Sequence, residues 1–149
     1  MHTIQILLQT TIPPIADNWS IARFSRLTEL LRTRRDSTGR VTFNVVARDR
    51  ERLGQPDSIL SRLDETEFDE LWLFAVDEGD GLTPEDCGGI TRFWRAGRGL
   101  FVTRDHMDLG SSLCSLGAVG GTPLSHAQCR SRPIPMRDRR PVLNPHLLA

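Results

Sequence analysis

Four short apolar segments occur in the first 104 residues, and each is predicted to be a β-strand. They are rich in Ile, Leu, Val and Phe, and they span residues 4–8, 41–47, 71–76 and 99–103. The third segment, LWLFAV, is apolar on both faces, which is typical of a strand in the middle of a parallel sheet. The pattern therefore predicts a sheet that is covered on both sides.

The segments between the strands carry apolar residues at helical spacing. In the first of them these residues occupy positions 21, 24, 27, 30 and 31, and Asp17 or Asn18 is the predicted N-cap. The next long helix is predicted to begin at Thr83, which is followed by proline and two acidic residues. Shorter helices are predicted after Asp57 and after Leu109.

Strands that alternate with helices predict a parallel sheet with right-handed crossovers. The expected fold is a flavodoxin-like three-layer α/β/α sandwich with strand order 2-1-3-4. It is formed by residues 1–121 and is expected to be incomplete at its C-terminus. Ligands of such sheets bind beyond the carboxyl ends of the strands, near the switch point between strands 1 and 3.

Polar residues follow all four predicted strands. The candidate substrate-binding residues are Thr10, Arg48, Asp77, Asp80 and Arg104. The candidate catalytic group is His106, with Asp105 and Asp108 on either side. A carboxylate beside an imidazole fixes its tautomer and favours its charged form, which suits acid/base chemistry.

A structural interpretation of the same residues stays open. Asp108 can cap the following helix, and His106 can pack or form a hydrogen bond. The acidic, glycine-rich segment 77–81 lacks the spacing of an EF-hand and is typical of a turn. No cofactor and no metal ion is predicted.

Composition excludes several classes of function. The chain has 149 residues with 19 Arg, no Lys and 19 acidic residues, so its formal net charge is zero. This excludes a globally basic nucleic-acid binder and gives no attraction to an acidic membrane surface, so neither is an expected partner. Three widely spaced cysteines without a CxxC motif argue against a disulfide framework or a zinc knuckle. The N-terminus lacks the features of a signal peptide, so a cytoplasmic location is expected.

The charge is divided unevenly along the chain. Residues 1–120 carry 14 Arg against 18 acidic residues, net −4, whereas residues 121–149 carry 5 Arg against 1 Asp, net +4. The second segment also holds five of the nine prolines and shows neither helical nor strand periodicity. Residues 122–149 are therefore predicted to form an irregular Arg/Pro-rich tail that takes no part in the chemistry.

Several motifs between residues 68 and 121 follow one another in a recognisable order. A strand that ends in an acid is followed by a helix capped at Thr83, and the glycine-rich turn 97–99 leads into the next strand. That strand ends in a His-containing elbow at 104–108, and a glycine-rich segment follows at 116–121. This arrangement resembles the class I glutamine amidotransferase-like superfamily, and most closely its trehalose-utilisation (ThuA-like) branch.

Two departures from that family matter. Its amidotransferases carry a nucleophilic cysteine inside a Gly-x-Cys-x-Gly turn, whereas the elbow 104–108 reads RDHMD. Without a thiolate at this position, the resemblance implies a domain that lacks glutaminase activity. The family also continues with at least one more strand and helix, so the residues beyond about 121 are expected to come from a shifted reading frame or another truncation.

Three functions stay open from the sequence. The first is an amidotransferase-like domain that lacks glutaminase activity and is inactive as this chain. The second is an enzyme acting on a carbohydrate-like or other small polar substrate, with His106 as acid/base. The third is a non-catalytic binding or assembly module that uses either the basic tail or an exposed sheet edge, where it could form a homo-oligomer. A sheet that stops after strand 4 leaves that edge unpaired.

Overall fold

The computed structural model describes residues 2–14, 19–104 and 109–116, apart from the side chain of Cys114. The predicted N-caps Asp17 and Asn18 lie outside the described residues, and so does the predicted tail. Among the residues described, no helix is long and apolar enough to cross a membrane.

The sheet has four parallel strands in the order β2-β1-β3-β4, as the alternating pattern predicts. The strands are β1 (Ile4–Thr10), β2 (Phe43–Arg48), β3 (Glu70–Ala75) and β4 (Gly99–Arg104). Strand β2 begins two residues later than predicted because Val41 forms an antiparallel bridge with Arg35. The central pair is β1 and β3, in which Leu7 lies opposite Leu71.

The described residues also form two α-helices and three short 3-10 helices, the last of which follows β4. The helices are α1 (Ser25–Thr33) and α2 (Pro84–Arg95), and the 3-10 helices are Ile21–Phe24, Leu60–Glu65 and Ser111–Leu116. The predicted start of α2 is confirmed, since Thr83 and Asp86 form a reciprocal capping box around its first turn. Asp57 accepts the backbone N–H groups of Ile59 and Leu60, which confirms the short helix predicted after it.

Apolar side chains on the two faces of the sheet form two separate cores, which gives the three-layer sandwich. One core lies between the sheet and α2 and is centred on Leu7, Leu71 and Ile90. The other lies between the sheet and α1, where Ile6, Leu8 and Val45 are buried. Because alternate residues of a strand point to opposite faces, the apolar run of β1 serves both cores.

A glycine allows α2 to approach the 3-10 helix Leu60–Glu65 closely. A Cβ atom placed on Gly89 would lie 2.1 Å from the backbone oxygen of Leu60. This contact is far shorter than van der Waals distance and involves backbone, so a side chain at this position would push the two helices apart.

A buried ion pair connects the start of α2 to the loop that follows β2. Arg50 Nη2 lies 2.8 Å from Asp86 Oδ2, and both side chains are fully buried. Asp86 also accepts the backbone N–H groups of Asp57 and Thr83, both at 2.9 Å. The Nε of Arg50 donates to the carbonyl of Arg52 at 2.7 Å, so the loop wraps around the guanidinium that it carries.

Substitution of Asp86 by Asn tests this connection. We expect a loss of about 3–5 kcal/mol in the free energy of unfolding, because the charge of Arg50 would stay buried without a carboxylate to neutralise it. Urea titration followed by circular dichroism measures the loss. The matched control is Asp64→Asn, which removes the exposed partner of Arg92 and should cost less than about 1 kcal/mol. Equal losses in the two variants would contradict the role given to the buried pair.

Candidate functional site

The carboxyl ends of the four parallel strands meet at one edge of the sheet, as the strand order requires. Strands β1 and β3 are neighbours, and their crossovers lead to opposite sides, so the switch point lies between them. Four predicted binding residues, Thr10, Arg48, Asp77 and Arg104, lie at this edge. The structure gives their surroundings in detail.

Asp77 is buried between three elements at the switch point, with 1% of its surface exposed. Its carboxylate accepts the hydroxyls of Thr11 at 2.7 Å and Ser112 at 2.8 Å. It also accepts the backbone N–H groups of Gly79 at 2.9 Å and Ser112 at 3.2 Å. Asp77 therefore joins β1, the end of β3 and the 3-10 helix Ser111–Leu116.

These bonds fix the charge of Asp77. Burial acts to raise the pKa of its carboxyl, but the hydroxyls of Thr11 and Ser112 and the two backbone N–H groups outweigh it and lower the pKa below its ordinary value. Asp77 is therefore a carboxylate at neutral pH. The loop closes tightly around it, since a Cβ on Gly81 would lie 2.3 Å from its carboxyl carbon.

Arg48 is held by carboxylates beside the end of β2. Its guanidinium donates to both oxygens of Asp57, at 2.9 and 3.3 Å, and to Glu51 at 3.1 Å. Asp57 is fully buried, which acts to raise its pKa, yet the N–H of Leu60 and the charge of Arg48 lower it overall. Arg48 and Asp57 thus form a partly buried ion pair on the α2 side of the sheet.

Thr10 connects the end of β1 to the loop that follows β2, on the α1 side of the sheet. Its hydroxyl is 2.6 Å from Asp49 Oδ1 and 3.0 Å from the carbonyl of Ile12. Asp49 in turn accepts the backbone N–H of Ile21 at 2.7 Å, where the 3-10 helix before α1 begins. Asp80 is exposed on the loop after β3. The binding roles of Thr10, Arg48, Asp77 and Asp80 stay predictions, and the first three also have the structural bonds described.

A pocket of about 230 Å³ opens at the ends of β3 and β4 on the α1 side. Its lining residues are Trp19, Phe24, Phe74, Ala75, Val76, Thr103 and Arg104. The rings of Phe24 and Phe74 lie 4.2 Å apart and form one wall. Thr103 and Arg104 also line this pocket, so the predicted binding residue Arg104 lies at a partly aromatic pocket that the sequence analysis did not identify.

The aromatic residues of this pocket had a weak signal in the sequence. Phe74 belongs to an apolar strand and Phe24 to an apolar helical stripe, and both are ordinary core positions. Trp19 lies two residues before the helical stripe and outside its spacing, and it is 41% exposed in the structure.

The candidate catalytic residues Asp105, His106 and Asp108 lie outside the described residues, and their role stays a prediction. Cys87 does not offer a substitute nucleophile, because burial and the charge of Asp86 raise the pKa of its thiol to about 11. Within the described ranges, no three His, Cys, Asp or Glu side chains are grouped to hold a metal ion.

Comparison of the chain with known proteins found no matching family model, no matching curated protein and no matching solved structure. The geometry of the edge is therefore the basis for interpreting function.

The substitution Asp77→Asn tests the carboxylate at the switch point. All four groups that bind the carboxylate are hydrogen-bond donors, so the amide nitrogen of asparagine would face a donor. The free energy of unfolding at pH 7 should therefore fall by about 1–3 kcal/mol. The pKa of Asp77 in the folded state is below its unfolded value of about 3.9. The carboxylate therefore stabilises the fold above about pH 3.9, and this stabilisation is lost as the pH falls through the folded-state pKa.

Urea titrations between pH 7 and 2.5 measure this difference. The difference in the free energy of unfolding between the wild-type chain and Asp77→Asn should become smaller as the pH falls below about 4. Asp80→Asn, on the same loop but exposed, is the control and should match the wild-type chain throughout. A gap of constant size over the whole range would contradict the account.

Proposed function

We propose that this chain is a binding domain for a small polar molecule with an apolar face, such as a monosaccharide, and that it has no glutaminase activity. The observation that carries the proposal is the pocket at the carboxyl ends of β3 and β4, where the rings of Phe24 and Phe74 form an aromatic wall beside Thr103 and Arg104. Ligands of parallel α/β sheets bind at this edge.

The size of the pocket limits the ligand. Pockets for drug-sized molecules have volumes of about 300–1,000 Å³. A pocket of about 230 Å³ suits a smaller molecule, on the scale of one sugar ring or a short acid. Aromatic rings supply apolar area at low cost in conformational entropy, so Phe24 and Phe74 suit the apolar face of such a ring.

The polar side of the pocket favours a ligand with hydroxyl or anionic groups. Thr103 offers a hydroxyl that donates and accepts, and Arg104 places a positive charge at the end of the same strand. Hydrogen bonds near the pocket hold its elements in place. Asp77 connects the ends of β1 and β3, and Thr10 and Asp49 connect β1 to the start of the 3-10 helix that carries Phe24. A site held on fixed elements needs little reorganisation when a ligand binds.

We propose the absence of glutaminase activity because the reaction needs a cysteine thiolate as its nucleophile. Segment 104–108 contains no cysteine, and the buried thiol of Cys87 has a raised pKa, so neither supplies a thiolate at the edge. The resemblance to the amidotransferase-like superfamily, proposed from residues 68–121, is therefore to its fold and not to its glutamine chemistry.

Substitution of Thr103 by Phe is expected to fill the pocket. Calorimetric titration with a panel of monosaccharides and their uronic acids should find a ligand for the wild-type chain, and Thr103→Phe should weaken its binding about tenfold or more. The control is Thr33→Phe, which adds the same ring at an exposed position on α1. Equal affinity in Thr103→Phe and Thr33→Phe, or no binding by the wild-type chain, would contradict the proposal, as would release of glutamate from glutamine.

An acid/base enzyme is the second candidate, because the pocket includes Arg104 and His106 follows two residues later in the chain. His106 would then exchange a proton with the bound ligand. The variant His106→Ala should abolish the turnover of a bound monosaccharide, which NMR can follow. It should leave binding intact and change the free energy of unfolding by no more than about 1 kcal/mol. Turnover retained by His106→Ala, or none in the wild-type chain, would reject this candidate and leave the binding proposal in place.

A further inference from the structure

The outer edge of β4 differs from the outer edge of β2, although both strands lie at the sides of the sheet. At β2, the guanidinium of Arg32 donates to the carbonyl of Val45 at 2.8 and 3.1 Å and so covers the strand. Charged groups on an edge strand protect it from pairing with other strands. Strand β4, like β2, carries a single charge, the arginine at its C-terminal end, but no described element pairs with its outer side.

The backbone groups on the open side of β4 can be assigned. Gly99 donates its N–H to the carbonyl of Asp69 at 2.8 Å, so its backbone points toward β3. Alternate residues of a strand point to the same neighbour, hence Phe101 and Thr103 also bond toward β3. The N–H and C=O groups of Leu100 and Val102 therefore point outward.

An aromatic surface lies directly beside this edge, on the α1 side of the sheet. Phe101 is 48% exposed, and its ring lies 5.2 Å from Trp72 and 6.3 Å from Phe74. The 3-10 helix Ile21–Phe24 and α1 cover the face of the sheet over β1 and β2 and reach Phe74. Among the described elements, none covers Phe101 in this way.

We propose that β4 pairs with β4 of a second copy of this chain, in antiparallel orientation about a two-fold axis at Phe101. This register places Leu100 opposite Val102 of the second copy, so outward N–H and C=O groups meet as hydrogen-bonded pairs. The two Phe101 rings then lie opposite each other at the closer, non-hydrogen-bonded spacing. The result is one eight-stranded sheet with a continuous aromatic strip.

A second copy fits this edge better than the C-terminal segment of the same chain. Residues 121–149 contain five prolines, and proline has no N–H to donate to a strand ladder. The chain as a whole has a net charge of zero at pH 7, so no long-range repulsion opposes its association with a copy of itself. This register is symmetric and apolar, because Phe101 faces its own counterpart and Leu100 faces Val102 of the second copy.

Sedimentation equilibrium on the full chain tests the proposal. We expect a monomer–dimer equilibrium in the wild-type chain, and Phe101→Arg should raise the dimer Kd about tenfold or more. The matched control is Val46→Arg, at an apolar position of similar exposure (40%) on β2, which should dimerise like the wild-type chain. A monomeric wild-type chain, or a dimer that Val46→Arg breaks and Phe101→Arg does not, overturns the proposal.

Amide exchange measured by NMR on the wild-type chain gives a second readout that does not depend on a variant folding. Exchange at Leu100 and Val102 should slow as the protein concentration rises, while Phe101 and Thr103 remain protected by β3 at every concentration. If Leu100 and Val102 are protected at concentrations where sedimentation shows a monomer, a segment of the same chain covers the edge and the proposal is wrong. If they stay unprotected while a dimer forms, another surface makes the dimer and the proposal is also wrong.

Discussion

The buried carboxylate of Asp86 holds together the parts of the fold that hydrophobic burial alone would leave loosely placed. Burial is non-directional, so it can press α2 against the sheet without fixing where the helix begins. Asp86 fixes that point, because it binds Arg50 from the loop after β2, the N–H of Asp57 and the N–H of Thr83 at once. Since β3 and α2 are joined by a short connection, this anchor also sets the path of the loop that contains Asp77.

The carboxyl edge divides into two parts as a consequence of how charge is buried. Beside β1 and β2, Arg48, Asp57 and Asp49 lie close to the core, and unpaired charges there would be expensive. They are therefore bonded to one another or to backbone groups. Beside β3 and β4 the wall is aromatic, and Thr103 and Arg104 line a pocket with access to solvent. Ligand binding fits the second part, because Thr103 and Arg104 are accessible to solvent there.

Much of the fold could be predicted from the sequence, because its signals are local. The doubly apolar segment 71–76 and the Thr83 cap each depend on residues within a few positions, and both have their predicted roles. The site was harder to predict, because it depends on contacts between distant residues. Asp77 meets Ser112 across 35 positions, and Phe24 meets Phe74 across 50, and no local pattern reports such pairs. Val41, by contrast, lies outside β2 and bridges to Arg35 across the turn at Gly39, a local feature that its β-branched side chain does not reveal.

Strand β4 connects the two proposals physically. Its side chains alternate, so Phe101 and Thr103 share one face, and Thr103 lines the pocket while Phe101 lies at the open edge. Pairing of Leu100 and Val102 with another strand would restrict the motion of β4, and with it the pocket wall that Thr103 and Arg104 form. A wall that is already ordered loses less conformational entropy when a ligand binds. Dimer formation and ligand binding would therefore favour each other through a single strand, without a change in the shape of the pocket.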